Sequence, residues 1–404
     1  MIDLGILGLN PITLELPAEL GWPFALALAW VVGEFGTRWT KLPRISLYGL
    51  VGFALANSQI GFLSNLDNDT VLLLANIAFG LILFEFGYRI NLQWLRTNPW
   101  IGVNGVIDAI ISFVAIYWVA QWFGVSTLAA LLMAALSMAS SPAGVLRVIN
   151  ERRSSGQVSE RILHLTAINC VLSVFTFKVI LVLWVSHTSG NLLQASSSTL
   201  VVLAASTALG LIFGYVLPLI LRRLGNLAQD STVAFAFAVI LLVALTHSLK
   251  LSPILASLTF GLVARHRRVA LNRTQRNFGA LGDLLTVMLF VFAASTLEWF
   301  RIAAGLGLGT ILVGVRLLSK TLVSTALAPF SGISWRKGFF SGLGLAPISV
   351  FVVLTLEQSR YLGVALSNEL SALIAMVFIL EIIGPVITLL ALIGAKETPH
   401  TTEN

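Results

Sequence analysis

The chain has 404 residues, of which 57% are hydrophobic and 11% charged, with a formal net charge of +7. Soluble domains carry about 25% charged residues, so this composition excludes an ordinary soluble protein and implies a multi-pass membrane protein. The basic residues lie in short loops between apolar runs, which argues against nucleic-acid binding, and the lone Cys170 excludes an intrachain disulfide or a cysteine-based metal cluster.

Apolar runs of about 20 residues match the thickness of a bilayer core. In chain order they predict helices over roughly 20–37, 45–63, 70–88, 100–123, 127–149, 162–187, 199–221, 231–249, 252–264, 279–299, 303–330, 337–357 and 369–394. That is about 13 spans, read as one integral membrane domain over 1–396 with a short polar tail over 397–404. The first run lacks the basic segment that precedes a cleavable signal peptide. No soluble domain is expected before residue 20 or after residue 396, and so no regulatory nucleotide-binding tail.

Loop charge orients the spans. With the N-terminus outside, the inner loops hold Arg38, Lys41 and Arg44, then Arg89 and Arg96, then Arg147, Arg152, Arg153 and Arg161. Further on they hold Arg222 and Arg223, then Arg265, Arg267, Arg268, Arg273 and Arg276, then Arg336, Lys337 and Lys396. The outer loops keep only Lys250, Arg301 and Arg360. The positive-inside rule then gives an N-out, C-in chain with an odd number of spans.

The two halves echo each other. LFEF (83–86) answers LFVF (289–292), Trp94-Leu95-Arg96 answers Trp299-Phe300-Arg301, and LPRISLYGLVGFAL (42–55) answers LSPILASLTFGLVA (251–264). Seven predicted spans separate the matched helices, so the copies, roughly 42–187 and 250–394, are upside down relative to each other. Inverted repeats mark many secondary transporters, whose site lies at the midplane where the repeats meet. The competing explanation is chance similarity among Leu- and Phe-rich helices.

Helix breakers recur at matching places. The fifth span reads ALSMASSPAGVLRVI, with Ser137, Ser140, Ser141, Pro142 and Gly144 in its middle; the twelfth reads GFFSGLGLAPISVFVVL, with Gly342, Gly344 and Pro347. Pro142 and Pro347 are 205 positions apart. Paired interruptions predict two discontinuous helices whose freed backbone groups can hold ions; simple proline kinks are the blander possibility.

The sixth span, beside the first interruption, carries Thr166, Asn169, Ser173 and Thr176 at steps of three and four, one face of a helix. Cys170 borders that face. Such a stripe serves either a site or helix packing. Lys178 lies about 80° round the helix from Cys170 and faces the site, snorkels or pairs structurally. In the eleventh span Arg316 and Lys320 share a face, where a cation can offset half-helix dipoles or clamp them.

Carboxylates in or near spans are Glu34, Glu85, Asp108, Glu357 and Glu381. Glu85 and Arg89 are spaced for a local ion pair. Glu381 stands before Gly384-Pro385 in the last span, and Glu85 and Glu381 are carried forward as candidate proton carriers. Asp283 is expected to cap the tenth span, and His164 and His187 to sit at the membrane interface.

With LPRISLYGLVGF (42–53), IAFGLILFEFGYRINLQWLR (77–96), SSPAGVLRVINE (140–151) and EIIGPV (381–386) in this order and spacing, the chain resembles the monovalent cation:proton antiporter family, Kef-type branch. The resemblance covers nearly all of 20–394. It implies 13 helices in two inverted halves, a panel domain beside a core domain with two crossing broken helices, and a homodimer. It names the fifth and twelfth spans as the crossing pair and matches the family's eleventh-span basic residue to Arg316. The departure lies in the sixth span, where family members carry Asn-Asp, Asp-Asp or Gln-Asp and this chain has Asn169-Cys170. A neutral thiol is a poor ligand for Na⁺ or K⁺, which favour oxygen, and Arg316 loses its anionic neighbour. Another acid, an anion or a water-filled cavity should then compensate a buried guanidinium.

Three functions stay open. One is exchange of Na⁺ or K⁺ for protons by alternating access, with another carboxylate doing the proton work or Asn169, Ser140, Ser141 and backbone carbonyls holding the ion. A second is transport of a small anion held by Lys178 and Arg316. The third is a non-transporting binding or regulatory protein of the same fold. The expected partners are the lipid bilayer, monovalent ions and protons, with no cofactor, no enzymatic role and no nucleic acid. The expected location is the plasma membrane, the inner membrane of a Gram-negative cell.

Overall fold

Helix after helix in this chain is apolar, with internal prolines only at Pro23, Pro218 and Pro385 among the described helices, and the computed structural model is helical accordingly. It describes residues 18–63, 68–189, 192–223, 227–266, 278–350, 352–355 and 369–399. Among them, the expected positions Arg267, Arg268, Arg273, Arg276, Glu357 and Arg360 are missing, since they lie outside the described residues, as does the side chain of His187.

The first helices are α1 (Ala18–Thr40), α2 (Arg44–Leu55), α3 (Asn68–Arg89) and α4 (Leu92–Thr97). Next come α5 (Pro99–Trp122), α6 (Thr127–Ser137), α7 (Pro142–Glu151), α8 (Gln157–Ser189), α9 (Leu192–Arg223), α10 (Leu227–Ser248) and α11 (Pro253–His266). The last are α12 (Gly279–Ser295), α13 (Trp299–Ala326), α14 (Trp335–Leu343) and α15 (Ser371–Gly394). Helical backbone also resumes at 350 and 352–355. Among the described residues, six helices are long and apolar enough to cross a bilayer, and shorter apolar helices lie between them.

Three local departures from the sequence reading have local causes. The second helix stops at Leu55, because Ala56 turns extended (ψ 153°) and the chain closes a turn behind it. The short α4 exists because Asn91 accepts hydrogen bonds from the Gln93 and Trp94 amides, an N-cap too brief to register as a span. Asp283 does not cap α12; Phe278 occupies that position in the left-handed region (φ 56°), and Asp283 instead pairs with Arg147 at 2.7 Å.

Two groups of helices form. In one, α5 packs on α6, α8 and α13, and α13 packs in turn on α14 and α15. In the other, α3 packs on α10, α11 and α12, α11 packs on α9, and α2 packs on α1 and α12. The seam between the groups is α15 against α2, α7 against α3 and α8 against α9.

Small residues set the closest approaches, as expected where helices cannot be driven together by water. At the α3–α11 crossing, a Cβ built on Gly261 would lie 2.1 Å from the Phe84 carbonyl oxygen, and one on Gly87 2.2 Å from that of Leu258. Both neighbours are backbone, so neither can swing aside. Gly261→Val is therefore expected to cost about 1–3 kcal/mol through forced separation, read as a lower apparent Tm of the purified protein in detergent.

The C-terminal segment fastens the start of α8. The Glu397 carboxylate accepts from the Val158 amide (2.7 Å), the Ser159 amide (2.8 Å) and the Ser159 hydroxyl (2.8 Å), satisfying orphan donors of a helix N-terminus. Glu397→Ala is expected to cost about 1 kcal/mol, the usual value of a lost cap, again as a fall in apparent Tm.

Candidate functional site

The backbone leaves the helix between Ser137 and Pro142 for a definite reason. The Ser137 hydroxyl bonds back to Met133 O (2.6 Å), and Ser141 caps α7 by accepting from the Gly144 amide (3.0 Å), with Pro142 at the first helical position where no amide is needed. Opposite, α14 stops at Leu343, and the chain runs irregularly through Pro347 before helix resumes at 350.

These two irregular segments pair with each other. Ser140 and Ile348 form an isolated antiparallel bridge, the Ser141 amide donates to Pro347 O (2.9 Å), and the Ser140 hydroxyl donates to Leu345 O (3.0 Å). Glycine permits the approach around them: a Cβ on Gly144 would meet the Pro347 ring at 3.1 Å, one on Gly344 Ile162 at 2.1 Å, and one on Gly342 the α13 backbone at 2.5 Å. So Ser140, Ser141, Pro142, Gly144, Gly344 and Pro347 converge on one crossing, with Gly342 just before it.

Half-helices that end inside a bundle leave carbonyls without partners and a negative end of dipole. Arg316, fully buried, answers both. Its Nε donates to Ser137 O (2.9 Å), Nη1 to Ala346 O (2.7 Å), and Nη2 to Ala139 O (2.8 Å), with longer bonds to Leu345 O and Pro347 O. The guanidinium thus finds its compensation in carbonyls from both segments.

Lys320, one turn on, donates to Met138 O (3.1 Å) and to Asp108 Oδ2 (2.8 Å), with both side chains fully buried. The same Asp108 oxygen accepts from Asn169 Nδ2 (2.6 Å). On the other side, Ser112 lies 3.5 Å from Asp108 Oδ1 and 3.2 Å from the Ser319 hydroxyl. Asp108, one of the acids in or near the spans, thus sits between Lys320 and Asn169, although it is not among the candidate proton carriers. Its only signal was a lone carboxylate in a continuous apolar helix, which is a functional flag in itself.

The α8 stripe divides. Asn169 joins Asp108 through its amide, but its Oδ1 is buried with no hydrogen-bond partner, and so is the Thr166 hydroxyl. Ser173 bonds to Ala135 O (2.6 Å) on α6. Cys170 is a free, buried thiol within the apolar core. Lys178 is half-buried, eight residues and about 12 Å further along the helix than Cys170, and the structure does not bring it to the crossing. His164 is buried within the protein; its ring accepts from the Asn91 amide (3.1 Å) and packs at a tilt against Trp94.

The two candidate proton carriers have different surroundings. Glu85 pairs with Arg89 (3.5 Å) and accepts from Asn150 Nδ2 (3.1 Å), tying α3 to α7. Glu381, on α15, is buried in the seam: a Cβ on Gly49 of α2 would sit 3.6 Å from its Cγ, and its Oε1 is buried with no hydrogen-bond partner. Its height along α15 is that of the crossing. Five residues earlier Met376 meets Ser137, and three residues later Gly384 lies against Pro347, where a Cβ would come within 2.7 Å of Pro347 Cα.

A cleft of about 270 Å³ enters the same seam. Its walls include Arg44, Ile45 and Tyr48 of α2, Arg147 and Glu151 of α7, and Asp283 of α12. Tyr48 precedes Gly49 on α2, and Glu381 itself does not line the cleft. Arg147–Asp283 (2.7 Å) and Arg44–Glu151 (4.0 Å) balance its charge.

Residues 24–393 match the family described as "Sodium/hydrogen exchanger, transmembrane". The chain is 24% identical over 380 residues to the iron transporter MagA of Paramagnetospirillum magneticum, covering 91% of this chain and 84% of that one. Its fold is similar to that of the sodium proton antiporter MjNhaP1 of Methanocaldococcus jannaschii at pH 8, with TM-score 0.68 and 18% identity over 93% of this chain and 95% of the other. An electron-microscopy structure of that antiporter gives TM-score 0.70 and 17% identity over 94% and 98%.

Proposed function

The chain belongs to the sodium/hydrogen exchanger family, and on that premise we propose that it exchanges a monovalent cation, Na⁺ or K⁺, for protons by alternating access, with Glu381 as the group that trades one for the other. The observation that carries this reading is the contrast between the two carboxylates at the crossing. Asp108 is satisfied by an ammonium and an amide, whereas Glu381 keeps a buried oxygen unused, in the seam that the cleft enters. An unpaired carboxylate charge in a dry site is costly. Such a group is tolerated with a proton on it or with a cation beside it, and that alternation is the exchange.

In this reading the acid missing beside Asn169 has moved to the opposite side of the crossing, and Cys170 is a packing residue. The Asp108–Lys320 pair and Arg316 form a fixed charge frame. Ser140, Ser141, Thr166, Asn169 and Ser173 shape the polar lining around it, and Lys178 and Glu85 play structural parts. The sliding of the α5–α8 and α13–α15 group along the seam would expose Glu381 to either side in turn.

The finer architecture belongs to the same proposal: about 13 spans, N-out and C-in, in two inverted repeats over roughly 42–187 and 250–394, assembled as a homodimer in the plasma membrane. Support comes from the loop charges, from Ser141 and Gly144, on either side of Pro142 and Ala143, meeting Pro347 at the crossing, and from Ser112 and Ser319 meeting with a separation of 207. The anion reading is weakened, because Arg316 is engaged by carbonyls and Lys320 by Asp108. Iron, named for the MagA relative, is not carried over. Among the described residues no three His, Cys, Asp or Glu side chains gather to hold a metal ion.

Vesicles containing the protein and a trapped pH dye should respond to pulses of Na⁺ or K⁺ with proton movement that a protonophore collapses. Silence toward both cations, at acid and alkaline pH alike, overturns the reading.

A further inference from the structure

Away from the crossing, a cavity of about 500 Å³ lies between the end of α3, helix α4 and the end of α11. Arg96, Arg265 and His266 line it, together with Ile90, Leu92 and Leu262. Among the described residues no carboxylate does, in contrast to the charge-balanced cleft at the seam. Arg265 is held in place by donating to Tyr88 O (3.2 Å) and to Arg89 O, the last carbonyls of α3. Arg96 and His266 are exposed, and among the described residues neither has a hydrogen bond or an ion pair. Two guanidiniums facing one cavity without a counter-charge repel one another, and an anion relieves that.

The place of the cavity narrows the choice of anion. Arg96 and Arg265 belong to the basic loops between spans, so the proposed orientation puts the cavity at the inner headgroup level. The wall is apolar on one part and basic on the other. A free inorganic anion has no use for Ile90, Leu92 and Leu262, whereas a phospholipid has both a phosphate and a greasy stem. Basic pockets between helices at this level suit lipid headgroups, and arginine is well shaped to hold phosphate oxygens.

We propose that this cavity binds the phosphate of an anionic phospholipid, with Arg96 and Arg265 on the phosphate oxygens, His266 at the rim, and the three aliphatic residues against the lipid stem. The inference stands apart from the exchange reading, since none of these residues touches the crossing.

The test compares the wild type with Arg96→Ala/His266→Ala, chosen because neither side chain has a partner to lose. Delipidated protein is titrated with phosphatidylglycerol or phosphatidylcholine and the retained lipid counted by native mass spectrometry. Binding of labelled inorganic phosphate is measured in parallel by equilibrium dialysis. The wild type should retain phosphatidylglycerol in preference to phosphatidylcholine, the variant should hold it roughly tenfold more weakly, and excess phosphate should not displace it. Equal retention by the variant, or no preference between the lipids, overturns the proposal. Saturable phosphate binding that competes with the lipid and vanishes in the variant overturns the lipid as ligand and identifies a free-phosphate site.

Discussion

Glu381→Gln is expected to reduce cation-dependent proton movement to the level of empty vesicles while leaving the purified protein as stable as the wild type. Glutamine keeps the size of the side chain and its fit against Gly49, so the seam should pack as before. It cannot release a proton or carry a negative charge, so neither half of the exchange can proceed. Folding should not suffer, because Glu381 Oε1 has no hydrogen bond to lose. Glu381→Asp should keep some activity with a weaker apparent affinity, since the carboxylate survives but is withdrawn by one methylene. In the wild type the apparent affinity for the cation should fall as the pH is lowered, because proton and cation compete for one group. Glu85→Gln is the control: it touches an ion pair within α3 and a hydrogen bond from α7 and should leave exchange measurable. Full activity in Glu381→Gln removes this residue from the mechanism.

What could be read in the sequence, and what could not, divides by the range of the interaction. Proline and glycine act on their own backbone, so the interruptions around Pro142 and Pro347 were legible one residue at a time, and so was the shared face of Arg316 and Lys320. Their partners were not. Arg316 is answered by carbonyls from two segments, one of them 177 to 179 positions away, and no side-chain pattern announces a carbonyl. Asp108 lies 212 positions from Lys320 and 61 from Asn169, contacts that only the packing of α5 on α8 and α13 creates. For the same reason the local spacing of Glu85 and Arg89 drew attention to the acid that is already paired. The partner of His164, the Asn91 amide, was likewise hidden, because it belongs to a turn that composition alone presents as a plain loop.

The second large effect concerns that hidden acid. Asp108→Asn should destabilise the protein by about 3–5 kcal/mol, the usual consequence of stranding one partner of a buried pair. The Lys320 ammonium would be left with Met138 O and a neutral amide, close to the Arg316 guanidinium one turn away. Detergent-solubilised membrane proteins often unfold irreversibly, so the comparison is made as apparent Tm at one scan rate. Removing both charges separates two roles that the single variant confounds. A buried ion pair replaced by uncharged groups of similar volume is often neutral or better, so Asp108→Asn/Lys320→Met should recover most of the lost Tm. If Asp108 belongs to the frame and Glu381 to the exchange, the double variant should again move protons in response to the cation. A double variant as stable as the wild type yet silent in vesicles would transfer the proton-carrying role from Glu381 to Asp108. The working site would then lie inside the α5, α8 and α13 packing, with Lys320 as the cation that the transported ion must displace.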